Sequence, residues 1–64
     1  LTALGKNIRN FRINKGLSQE ALGKVLKVDK AYISRIEGGK KNLTIKSLAK
    51  IADVLSIEIR SFFS

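Results

Sequence analysis

Lys30, Ala31, Ser34 and Arg35 are the residues of this chain whose types and spacing suit chemistry, and the chemistry is recognition of a polyanion. At about 100° per residue the four share one arc of a helix, with Ile33 and Ile36 on the other. The arc carries no acid. Arg35 offers a planar fork that spans guanine O6 and N7, and Lys30 reaches the same acceptors from the first turn. These two are the expected base readers. Ala31 is small enough to touch a thymine methyl, whereas Ser34 donates or accepts and discriminates weakly. Stripped of its surroundings, the same set would describe a solvated helix face.

Two short helices around a tight corner are needed to hold that arc, and residues 18–37 supply them. Counting Gln19 as the first place, Gly23 stands fifth, Val28 tenth, Ile33 fifteenth and Ile36 eighteenth. Helices that cross steeply require a residue without bulk at the crossing, which is Gly23, while the three apolar residues close the corner from below. This pattern is a helix-turn-helix. Lys27 holds the ninth place, where a left-handed backbone, if the corner requires one, costs a non-glycine residue roughly 1 kcal/mol.

Three times an apolar residue precedes a capping residue and is matched by another apolar residue five places on: Leu17-Ser18 with Leu22, Val28-Asp29 with Ile33, and Leu43-Thr44 with Leu48. The side-chain oxygen of each capping residue can accept from orphan backbone N–H groups, and each apolar pair forms a hydrophobic staple. These mark three helix starts. Upstream, Leu1, Leu4, Ile8 and Phe11 recur at helical spacing, and Gly16 is a left-handed stop for a first helix ending near Lys15. Downstream, Leu48, Ile51, Ala52 and Leu55 give a fourth helix, and Ile59, Phe62 and Phe63 a short fifth turn. The fold is all-α, one domain over residues 1–64, without proline, period-2 alternation, linker or internal repeat.

Composition narrows the function classes. Sixty-four residues bury a limited core, and with no cysteine and no histidine neither disulfides nor a transition-metal site can reinforce it. Self-association remains as reinforcement. A hydrophobic fraction of 44% with 28% charged residues belongs to an ordinary globular domain, and no apolar run approaches the ~20 residues of a membrane span. No signal-peptide pattern is visible at the start, and the chain opens at Leu1 without an initiator methionine, which leaves room for residues upstream. The net charge of +8 is unevenly spread: twelve basic and three acidic residues lie up to residue 50, one basic and two acidic beyond it. A cationic body with a near-neutral, apolar tail points to an anionic polymer as partner.

Further residues are expected to position the domain without reading sequence. Gln19 and Lys46 stand at helix starts, where side chain and free backbone N–H groups can bind phosphate. Lys40, Lys41 and Asn42 lie on the loop between, which Gly38 and Gly39 let approach the sugar-phosphate backbone. Tyr32 has its ring toward the core and its hydroxyl within reach of a phosphate. Lys6, Lys24 and Lys50 are left as solubility charges. Arg12 and Glu37 each border a buried stripe, and a partly buried ion pair between them would tie the first helix to the recognition helix. The tail, with Ile57, Ile59, Phe62 and Phe63, and Val54 before it, presents more apolar surface than one short helix can cover, so part of it is expected to face a second subunit. Phe62 and Phe63 would exchange places on a one-residue shift.

Ile8-Arg9-Asn10-Phe11-Arg12, Gly16-Leu17-Ser18-Gln19-Glu20, Tyr32-Ile33-Ser34-Arg35-Ile36-Glu37 and Lys50-Ile51-Ala52 together resemble the phage-repressor and Cro-like (XRE) helix-turn-helix proteins over almost the whole chain. The resemblance implies a compact five-helix, lambda-repressor-like DNA-binding domain that binds double-stranded operator DNA as a homodimer and regulates transcription, in the cytoplasm of a bacterium or in a phage-infected cell. It supports the Arg12–Glu37 pair and sets that arginine near a phosphate. Asn42-Leu43-Thr44-Ile45-Lys46-Ser47-Leu48 and Phe62-Phe63 look like the controller proteins of restriction-modification systems. Lys27 departs from the glycine common at the corner, which touches the turn geometry and not the motif.

Other classes fare worse. An enzyme would need a nucleophile, base or metal cluster, and the five carboxylates are scattered over different helices. No cofactor, small-molecule ligand or membrane contact is expected, since a membrane-surface peptide would show one basic amphipathic helix. An antitoxin-type module using the same fold to mask a protein partner would still bind DNA. RNA binding lacks aromatic stacking platforms in a chain with four aromatic residues.

Overall fold

The computed structural model describes residues 2–40 and 43–63; Leu1, Lys41, Asn42 and Ser64 lie outside the described residues. Four α-helices and a closing 3-10 turn succeed one another: α1 Thr2–Asn14, α2 Gln19–Leu26, α3 Lys30–Glu37, α4 Ile45–Val54 and the turn Ile59–Phe63. Among the described residues there is no strand.

Side-chain caps start three of the helices. Ser18 Oγ accepts from the Ala21 N–H at 2.9 Å, Asp29 Oδ1 from Tyr32 at 2.8 Å and Thr44 Oγ1 from Ser47 at 3.1 Å. Each satisfies a donor that the helix itself cannot. The inner members of the staples, Leu22, Ile33 and Leu48, are buried, and the outer members Leu17, Val28 and Leu43 pack half-buried against them. Gly16, at φ 74°, ends α1.

The core draws on every element: Ile8 from α1, Leu22 from α2, Ile33 and Ile36 from α3, Leu48 and Ile51 from α4 and Phe62 from the turn. Two glycines let the helices close on it. A Cβ on Gly23 would stand 2.8 Å from the carbonyl oxygen of Val28, and one on Gly5 would stand 2.6 Å from the carbonyl oxygens of both Ile36 and Glu37. Helix α1 therefore rests directly on the last carbonyls of α3.

The placement of Phe62 corrects the sequence expectation. It is 1% exposed, stacked edge-on against Phe11 with ring centroids 5.9 Å apart, and Asn7 Nδ2 donates to its carbonyl at 2.7 Å. A 3-10 turn eclipses residues three apart, so Ile59 and Phe62 face inward together and Phe63 is turned out, 59% exposed. Val54, Ile57 and Ile59 are half-buried against the same core. The tail thus completes the fold, and of the two phenylalanines only Phe63 is open to a partner.

Candidate nucleic-acid interface

The corner between α2 and α3 turns on Lys27, whose φ of 63° and ψ of 40° put it in the left-handed region while its N–H donates back to α2. Val28 follows, donating to the Gly23 carbonyl at 2.8 Å, and Asp29 then caps α3. A side chain at position 23 would press on the Val28 carbonyl oxygen and force the corner to shift. The tightness of the corner fixes where α3 begins and hence which way it faces.

Ile33 and Ile36, 1% and 3% exposed, anchor one side of α3. Lys30, Ala31, Ser34 and Arg35 are exposed on the other. The result is a rigid helix with a basic, acid-free outer arc, able to present donors to base edges and phosphates. Tyr32 is half-buried against the core beside Ser47 and Lys50 of α4, at the flank of the arc. Gly39, at φ 74°, breaks the chain away from α3, and Lys40 beyond it is exposed, as is Lys46 in the first turn of α4. The expected phosphate contacts Lys41 and Asn42 lie outside the described residues.

Arg12 and Glu37 form a two-pronged ion pair beneath the arc. Arg12 Nε donates to Glu37 Oε2 at 2.6 Å and Nη2 to Oε1 at 3.1 Å, while Nη1 donates to the Leu17 carbonyl at 2.7 Å. Both residues are 8% exposed. A charge pair so withdrawn from water is held by geometry and by the extra backbone bond, which a lone surface pair lacks. It joins α1, the α1–α2 loop and the end of α3.

Two features had no sequence signal. Gln19 is half-buried, and its Nε2 donates to Glu37 Oε1 at 3.0 Å. Its side chain is therefore part of the Arg12–Glu37 network. Gly5 meets the end of α3 through a close approach that neither periodicity nor capping rules reveal. Lysine, arginine, tyrosine and serine on an arc are readable from types and spacing, whereas a glutamine bond spanning 18 residues needs the folded chain.

A helix-turn-helix family profile matches residues 8–62. The chain is 36% identical over 61 residues to control protein C.MunI of a Mycoplasma species, an alignment covering 94% of this chain and 82% of that protein. It is 37% identical over 54 residues to a Neisseria meningitidis protein described as a hypothetical transcription factor, covering 84% of this chain but only 51% of the relative. The chain thus spans about half the length of that protein. Among solved structures it superposes on the restriction-modification controller protein C.AhdI from Aeromonas hydrophila with a TM-score of 0.90 and 35% identity, covering 97% of this chain and 94% of that one.

Proposed function

This chain belongs to the helix-turn-helix family, and from that membership we propose that it is a sequence-specific DNA-binding transcription regulator. It binds a palindromic operator as a homodimer and sets α3 in the major groove. The observation that carries the reading is the acid-free arc of Lys30, Ala31, Ser34 and Arg35, exposed on a helix whose other side is locked into the core. Arg35 and Lys30 read bases, and Ala31 and Ser34 permit close approach. Gln19, Tyr32, Lys40, Lys41, Asn42 and Lys46 meet phosphates and fix the register.

One copy offers too few base contacts for useful specificity, and a two-fold dimer would set two recognition helices about 34 Å apart, one turn of duplex. Phe63, with the half-exposed flanks of Val54, Ile57 and Ile59, is the apolar surface that the tail offers for it. The likeness to controller proteins along most of both chains supports restriction-modification genes as the regulated targets. Selection of bound sequences from a random duplex pool tests the reading. A symmetric consensus with a guanine in each half-site is expected; the absence of any enriched sequence contradicts it.

A further inference from the structure

Glu37 is the last residue of α3, Gln19 the first of α2, and a hydrogen bond of 3.0 Å joins their side chains. The oxygen that accepts it, Glu37 Oε1, also accepts from Arg12 Nη2 at 3.1 Å, and Oε2 takes Arg12 Nε at 2.6 Å. The carboxylate is therefore neutralised and fixed before it meets Gln19. Which end of the amide faces it is settled by chemistry, since a carboxylate repels the amide oxygen and attracts the N–H. An amide nitrogen carries two hydrogens in one plane. With one directed at Glu37, the direction of the other is set.

We infer that Glu37 is a positioning residue for a phosphate contact made by Gln19, and that Arg12 acts by holding Glu37. The inference rests on the proposed DNA-binding function. Glutamine loses much rotamer freedom when it is ordered, and this network removes that freedom before DNA arrives, so that less is lost on binding. The second Nε2 hydrogen and the backbone N–H groups at the start of α2 then converge on one anion. Because Arg12 neutralises Glu37, a carboxylate lies beneath the interface without repelling the phosphate. The same bonds tie the reading helix to the phosphate contact.

Single methylphosphonate substitutions along the selected duplex test this, with affinity measured by fluorescence anisotropy for the wild type, Gln19→Ala, Glu37→Gln and, as a control, Lys46→Ala. One position is expected where removing the phosphate charge weakens the wild type about tenfold more than it weakens Gln19→Ala, the excess being the loss of one hydrogen bond to a charged group, since the backbone N–H groups of α2 remain in the variant. Glu37→Gln should show the same reduced loss there as Gln19→Ala, and Lys46→Ala the full wild-type loss. A Glu37→Gln protein that keeps the full wild-type loss at that position overturns the inference, as does the lack of any position separating the wild type from Gln19→Ala. A wild type that binds no duplex removes the DNA-binding reading itself. The wild-type side-chain amide spectrum provides a measurement that does not depend on Glu37→Gln folding. One Gln19 Nε2 proton should be protected from exchange before DNA is added and stay protected after, while the other shifts. Loss of that protection on DNA binding would mean that Gln19 leaves Glu37 to reach its phosphate, which contradicts the inference.

Discussion

Arg35 and Lys30 differ in what they can distinguish. The planar fork of Arg35 matches two acceptors of one guanine at fixed spacing, whereas the Lys30 ammonium is a point charge on a flexible stem. Arg35→Ala should cost roughly 1–3 kcal/mol on the preferred site and relax preference at one base pair per half-site, with a smaller effect for Lys30→Ala. Titrations against the selected duplex and its single-base variants check this; equal loss on every sequence would reassign Arg35 to the backbone. Both side chains are exposed, so thermal melting should not change. Arg12 behaves oppositely. Arg12→Leu strands a carboxylate that is 8% exposed and removes the bond to the Leu17 carbonyl, at a cost of about 3–5 kcal/mol as for other broken buried pairs. Urea unfolding reads the loss, and an unchanged midpoint would mean that the pair contributes nothing to the fold.

At the scale of elements, the helix starts were the most legible part of the chain. A capping oxygen and a staple are local, so Ser18, Asp29 and Thr44 announce their helices from sequence alone, and the structure has all three bonds. The arc of α3 was legible for a similar reason, since the phase of a helix follows from its apolar residues. What stayed hidden depends on neighbours distant in sequence or on sub-turn geometry. The last element is a 3-10 turn, and the difference of one residue in phase moves Phe62 into the core and Phe63 out. Ser56, left-handed at φ 59°, sits just before it and carries no glycine-like signature. Gly5 likewise reads as a poor helix residue until α1 is seen resting on α3. Gly5→Ala should therefore destabilise despite its better helix propensity. The added methyl meets two backbone carbonyls at 2.6 Å, so α1 must shift, at about 1–3 kcal/mol. A urea midpoint that rises would show that propensity outweighs the contact.

For the whole molecule, the division of labour is between a cationic body and an apolar tail that closes the core through Phe62 and leaves Phe63 outward, where the proposed second copy would meet it. The exposed ring of Phe63 is the largest apolar group that the tail leaves uncovered. Phe63→Lys should shift sedimentation toward monomer and weaken operator binding sharply, while the circular-dichroism spectrum stays helical. A Phe63→Lys protein that sediments as the wild type does would move the interface elsewhere. Phe62 cannot serve for this test, because its truncation opens the core.

Affinity for the selected symmetric duplex, and for the same duplex with one half scrambled, measured across a range of salt concentrations, tests the central claim most directly. Each neutralised phosphate should contribute about 0.9 to the slope of log affinity against log salt, so several contacts per subunit give a steep fall. Scrambling one half should cost far more than one subunit's share of non-specific binding. A steep slope with strong preference for the full site is the predicted result; a flat slope with equal affinity for both duplexes would contradict the account.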